Sequence, residues 1–189
     1  LRERKKQKTR WAIQEHALRL IAQQGYDATT VEQIAAAAEI SPSTFFRYFK
    51  TKEDVVTEDE YDPMLVELIG GEPAERTPLQ ALRSVIGKAF AQMDAVERER
   101  ILERTRLMIA VPALRAKLYD NLVNSIDMLT GVIAGRLGRD PGDFAIRAFA
   151  GAVIGAEIAA MLEWAGKGGA GDLGKLMDDA LAVLEPGLS

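Results

Sequence analysis

Between Thr30 and Asp54 the chain carries three helix-start signals in quick succession, leaving room for two very short helices and one tight turn. Thr30-Val31-Glu32-Gln33 fits a capping box: the Thr hydroxyl takes the amide of the third helical residue, and Gln33 reaches back to the amide of the cap. Ser41-Pro42 places a good N-cap before a proline at the first helical position, where the missing N–H is no loss. Thr51-Lys52-Glu53-Asp54 opens the next helix with acids in its first turn. Val31, Ile34, Ala35 and Ala38 trace an apolar face on the first of these helices, and Glu39-Ile40 is all that separates it from the second.

The rest of the chain also reads as helix. Sustained period-2 alternation and Asn-Gly or Asp-Gly hairpin turns are missing from the sequence, so the expectation is an all-α fold of about nine helices. The first helix covers residues 3–24, with Ile13, Ala17, Leu20, Ile21 and Gln24 in register and Gly25 as its stop. A helix over 51–69, bent near Pro63, is followed by a linker over 70–78. Further helices are expected over 79–96, 97–110, 112–137, 143–165 and 172–184, with a glycine-rich loop at 166–171.

Charge divides the chain. Residues 1–52 hold ten Lys and Arg against five Asp and Glu, whereas the remainder holds fourteen against twenty-three, within a net charge of -4. A basic head on an acidic body fits a polyanionic partner for the head, and equally a solvated charged helix start. There is no cysteine, which excludes disulfides and thiolate metal sites. The start, charged from Arg2 to Arg10, does not read as a signal peptide, and Leu1 in place of Met implies a trimmed terminus. The longest apolar stretch, 144–164, carries Arg147, Glu157 and Glu163, so it reads as a helix of a soluble, cytoplasmic protein and no membrane partner is expected.

Two short helices on a tight turn have helix-turn-helix geometry, whose second helix enters the major groove with its N-terminal residues toward base edges. Ser41-Pro42-Ser43-Thr44-Phe45-Phe46-Arg47-Tyr48-Phe49 suits a groove-reading helix. Small residues allow close approach, Ser43 and Thr44 can bond to bases or phosphates, and Arg47 and Tyr48 reach further. Phe45 and Phe49, four apart, read as core. Thr30 and Ser41 serve as caps as well as candidate contacts.

The stretch Thr29-Thr30-Val31-Glu32-Gln33-Ile34-Ala35, with Ile40-Ser41, Thr44-Phe45-Phe46-Arg47-Tyr48-Phe49 and Lys52-Glu53, resembles the DNA-binding signature of the TetR family over roughly residues 8–56. The resemblance implies Pro42, Ser43 and Arg47 as base-facing residues. It implies Thr30, Thr44, Phe46, Tyr48 and Lys52 as contacts to phosphate or groove wall. Three positions depart from the family pattern: Glu39 stands at the usual turn glycine, Phe46 at the usual Tyr and Tyr48 at the usual His. A left-handed backbone at Glu39 costs about 1 kcal/mol or more, so a turn slightly different from the family's is expected.

The resemblance further implies a DNA-binding domain over 1–50 and a helical ligand-binding and dimerisation domain over 51–189. The partners it implies are a double-stranded DNA operator, a small apolar effector, for which fatty acyl thioesters are a lead, and a second copy joined through the last two helices. Ala148, Gly151, Ala152, Gly155, Ala156, Ala159 and Ala160 give the 143–165 helix a small-residue face. Candidate effector contacts are Phe90, Met93, Met108, Tyr119, Leu122, Met128 and Trp164, each also an ordinary core residue by type.

Enzyme readings find little support. The single histidine, His16, lies in the first helix, so neither a Ser-His-Asp triad nor a metal cluster suggests itself, and no cofactor is expected. Gly169-Ala170-Gly171-Asp172-Leu173-Gly174-Lys175 matches a phosphate-loop spacing, but it lacks the closing Ser or Thr and follows a helix, so it reads as a loop. A head that docks on a protein, and an activator in place of a repressor, remain open alternatives.

Overall fold

The structure, a computed structural model, describes residues 2–58 and 67–185. The chain divides into two compact units. The first holds α1 (Arg2–Gln24), α2 (Val31–Ala37), α3 (Pro42–Tyr48) and α4 (Lys52–Thr57). It also takes in residues 106–118, the end of α7 (Ala95–Ala110) and the start of α8 (Pro112–Leu137). The second unit holds the helical residues 67–71 (α5), α6 (Pro78–Gln92), the rest of α7 and α8, α9 (Phe144–Gly166) and α10 (Leu173–Ala182).

Among the described residues every regular element is a helix, as expected, but the helix expected over 51–69 is not continuous. It ends at Thr57 with Glu58 extended at φ -75 and ψ 128, which makes ten helices among the described residues; the expected bend near Pro63 lies outside them. Likewise α6 stops at Gln92, because Asp94 and Glu97 form a reciprocal cap, each backbone N–H donating to the other's carboxylate, that starts α7 at Ala95.

The core of the first unit forms where the apolar faces of α1 to α4 meet. Ile13, Ala17, Ile34, Ala35, Phe45, Phe49 and Val55 are buried together, and each large side chain contributes on the order of 1.5–3 kcal/mol by leaving water. A second cluster joins Ile21, Tyr26 and Val56 to Leu114, with Leu107, Met108 and Val111 packed against it. Beside it, Lys117 Nζ lies 3.1 Å from Oδ1 of the buried Asp54, whose Oδ2 accepts from the Thr51 amide at 2.9 Å.

The turn between α2 and α3 is a Schellman motif. The Glu39 amide donates to Ala36 O at 3.1 Å, the Ile40 amide donates to Ala35 O at 2.9 Å, and Glu39 sits at φ 55 between them. Glutamate therefore occupies the left-handed position that the motif reserves for glycine, and the turn keeps its form where a slightly different one was expected. Glu39→Gly is expected to raise the stability of this unit by about 0.5–1 kcal/mol, the relief of left-handed strain less the entropy glycine adds to the unfolded chain. A denaturant titration of both proteins checks it, and a less stable glycine variant would refute it.

In the second unit, Leu82, Val85, Ile86, Ile133, Ile146, Val153, Trp164, Met177 and Leu181 belong to one continuous core. Arg83 makes a bidentate pair with Asp178 at 2.7 and 2.9 Å, tying α6 to α10. Arg136 on α8 donates to the carbonyls of Ile69, Glu72 and Arg76, satisfying acceptors that the end of α5 leaves open. At Gly174 a Cβ would lie 2.8 Å from Phe90 Cβ, so glycine is what lets the start of α10 press onto α6. Among the described residues α9 is the one helix long and apolar enough to cross a membrane; here it gives Ile146, Phe149, Ala150, Val153, Ala160 and Trp164 to the core. Its opposite face exposes Ala152, Gly155, Ile158, Ala159 and Leu162.

Candidate nucleic-acid interface and ligand cavity

Because α3 is only seven residues long, its two faces divide sharply. Phe45 and Phe49 are turned fully inward, as their spacing implies, while Pro42, Ser43, Phe46 and Arg47 are exposed. Ser41 Oγ accepts from the Thr44 amide at 3.1 Å and shares hydrogen bonds with the hydroxyls of Ser43 and Thr44, each at 2.9 Å. The cap thus orients both hydroxyls, and Thr44 is the more withdrawn of the two. Phe46 is 53% exposed and packs edge-on against Phe45 with centroids 5.4 Å apart. Arg47 lies 5.4 Å from the centre of the half-buried Tyr48 ring, which limits the sweep of its guanidinium. Lys50, which sequence reasoning misses, is exposed just beyond α3; a lone cation past a helix end is the signal that marks it.

Thr30 caps α2 in a complete capping box, with the Gln33 amide donating to its Oγ1 at 3.2 Å and its own amide donating to Gln33 Oε1 at 2.9 Å. Gln24 Nε2 on α1 donates to the same Gln33 oxygen at 2.8 Å. Thr30 is exposed and so remains available to a partner.

Lys52 is engaged within the unit. Its Nζ donates to Tyr26 O at 2.9 Å and Thr29 O at 3.0 Å, and lies 4.0 Å from the centre of the Tyr26 ring. The Tyr26 hydroxyl donates to Glu53 Oε1 at 2.5 Å. Burial and the neighbouring Glu53 carboxylate push the Tyr26 hydroxyl well above its ordinary value. Burial opposes the charge of Glu53, but the Tyr26 hydroxyl, backbone and Thr51 hydrogen bonds, and the Lys52 charge outweigh it and hold the carboxyl below its usual range. Arg10 of the basic run is likewise engaged inside the unit, with Tyr48 O at 3.1 Å, with Glu58, and over the Phe49 ring at 4.2 Å.

Two of the seven candidate effector residues line one groove. Phe90 and Met93 line a groove of about 610 Å³ between the end of α6 and the start of α10, with Arg98, Asp172, Leu173 and Lys175. Trp164 is 2% exposed, and its indole N–H is buried with no hydrogen-bond partner among the described residues. Leu122 and Met128 are partly buried, and Tyr119 is 70% exposed. Met108 belongs to the other unit, where it packs against the Tyr26 and Leu114 cluster. Helical spacing marks a residue as inward or outward but says nothing of which core an inward residue joins.

A trihelical head with a Schellman turn, and a recognition helix whose outer face is Ser43, Phe46 and Arg47, defines a helix-turn-helix DNA-binding protein. Comparison with known proteins fixes the family. Residues 13–58 match the tetR family of bacterial regulatory proteins, and residues 76–189 match the MftR C-terminal domain family. The chain is 35% identical over 150 residues to the HTH-type transcriptional regulator TcmR of Streptomyces glaucescens, covering 76% of this chain and 66% of TcmR. It is 28% identical over 164 residues to the mycofactocin biosynthesis regulator MftR of Mycobacterium tuberculosis, covering 85% of this chain and 82% of that one. The fold matches that of FadR from Bacillus subtilis, solved in complex with stearoyl-CoA, with a TM-score of 0.60 at 23% identity, covering 95% and 99% of the two chains. The chain belongs to the TetR family of transcriptional regulators.

Proposed function

We propose that this protein is a ligand-released repressor that acts as a dimer on a palindromic operator in the bacterial cytoplasm. The observation that carries the reading is the outer face of α3: Ser43 and Arg47 are exposed on a short helix whose inner face is locked by Phe45 and Phe49. In that role Pro42, Ser43 and Arg47 face base edges, Thr30, Thr44, Phe46 and Tyr48 face the backbone and groove wall, and Lys50 adds a cation. Two copies set two α3 helices into successive major grooves about 34–36 Å apart. The exposed stripe of α9, together with α10, supplies the dimer contact, as expected where TetR-family regulators bind DNA as dimers. An apolar effector favours a state of lower DNA affinity, and the shift it causes equals its differential affinity for the two states. The stearoyl-CoA complex of the FadR neighbour makes fatty acyl thioesters the first class to try. The matched relatives are regulators, in keeping with a protein that carries out no catalysis of its own.

The test is titration of a labelled duplex from the region upstream of the gene, against random DNA, at several salt concentrations. Specific binding that weakens steeply with salt and a stoichiometry of two protomers per site supports the reading; equal affinity for all duplexes refutes it. Arg47→Ala is expected to cost about 1–3 kcal/mol of operator affinity and to flatten the preference at one base position per half-site. A uniform loss across operator and random DNA would instead make Arg47 a backbone contact.

A further inference from the structure

We infer that the groove between the end of α6 and the start of α10 binds a small organic acid, with Arg98 and Lys175 holding its carboxylate and Phe90, Met93 and Leu173 its apolar body. The inference rests on the regulatory reading only for calling that acid an effector; the binding itself is argued from the groove. The space measures about 610 Å³, and every residue around it belongs to the second unit. Small-molecule sites usually measure about 300–1,000 Å³. Leu173 is buried in the continuous core of that unit and Phe90 packs against the same core, so the apolar side of the groove has a firm backing.

Two glycines, one on each helix, shape the groove in opposite ways. Gly174 lets α10 close onto Phe90, as its 2.8 Å approach shows. Gly87 lies inside α6, and a Cβ there would meet no atom within 4 Å. No neighbour requires a glycine at that position, and glycine inside a helix costs stability relative to alanine. Gly87 does line the groove, and the side chain it lacks leaves room for a ligand. The charges select an acid. Arg98 Nη2 donates to Met93 O at 3.1 Å and Lys175 Nζ to Asp179 Oδ2 at 2.6 Å, which leaves further donors on both groups. The third ionised residue of the lining is Asp172, whose Oδ1 accepts from the Lys175 amide at 3.0 Å. Two cations against one carboxylate leave the lining at a net +1, which complements a monoanion such as a carboxylate and repels an amine.

Isothermal titration of the DNA-free protein with octanoate, 1-octanol and octylamine at neutral pH tests this. Octanoate is expected to bind about tenfold more tightly than the alcohol, the scale of one charge-assisted hydrogen bond, and the amine more weakly still. Gly87→Leu fills the groove from α6 and is expected to lower octanoate affinity about tenfold or more without lowering the urea midpoint, since leucine favours the helix. Arg98→Gln combined with Lys175→Gln changes exposed side chains alone and is expected to bring octanoate down to the affinity of octanol. Octanoate that binds Gly87→Leu as tightly as wild type would place the acid elsewhere and overturn the inference. Equal affinity for acid, alcohol and amine would do the same, as would no heat of binding from octanoate at all. Should Gly87→Leu fail to fold, the double glutamine variant decides. No DNA enters the titration, so failure of the operator-binding reading stays distinguishable from failure of this one.

Discussion

Phe45→Ala is expected to cost the DNA-binding unit about 3–5 kcal/mol, the range for truncating a fully buried aromatic side chain. Phe45 is 0% exposed, lies 5.9 Å from the Phe49 ring, and shares a cluster with Ile13, Ala17, Ile34, Ala35 and Val55 from α1, α2 and α4. No neighbour can follow a side chain that four helices enclose, so the cavity term adds to the lost transfer energy. Domains of this size are stable by about 5–15 kcal/mol in total, so the variant would hold its head folded only marginally. Urea unfolding followed by circular dichroism, with duplex binding measured in parallel, checks it. A loss under about 1 kcal/mol would mean that the three-helix core is not organised around this ring.

The second large effect is expected at the far end of the chain. Ala159→Arg places a long cation on the exposed face of α9, beside Gly155, Ile158 and Leu162. In a monomer that change is harmless, since the position already faces water. Across a two-fold axis it sets two like charges in a close-packed helix interface, and the dimer is expected to dissociate. Operator affinity should then fall by roughly 10²–10⁴, the gain that linking two half-site contacts normally brings. Sedimentation velocity decides the point, and a variant that remains dimeric would place the interface elsewhere.

The first sixty residues are the most legible because their signals are local. Thr30-Gln33, Ser41-Pro42 and Thr51-Asp54 announce caps through side chains that bond their own backbone, and all three form as read. The inward pair Phe45 and Phe49 follows from a spacing of four. Glu39 runs against the local reading, since the Schellman turn takes a left-handed residue there in spite of the strain that glutamate brings. The Asp94 and Glu97 cap is equally legible in principle but lies inside an apolar pattern that runs on through it. Lys52 shows where local reading stops. Its charge and position at a helix start suggest phosphate, and only the return of the 25–30 loop beneath it brings in two carbonyls as well. The effector residues are least legible, because partition between two cores depends on long-range packing that helical periodicity does not encode.

The unit that reads DNA is assembled from two separated stretches of chain, and this restricts how such proteins can be recombined. Residues 106–118 complete the cluster over Ile21, Tyr26 and Val56, and Lys117 neutralises the buried Asp54. A chimera that grafts residues 1–58 alone onto another body inherits an apolar face and a buried carboxylate without their complements. New operator preferences are therefore reached more readily by substitution on the outer face of α3 than by exchange of whole heads, unless the α7–α8 junction travels with the graft.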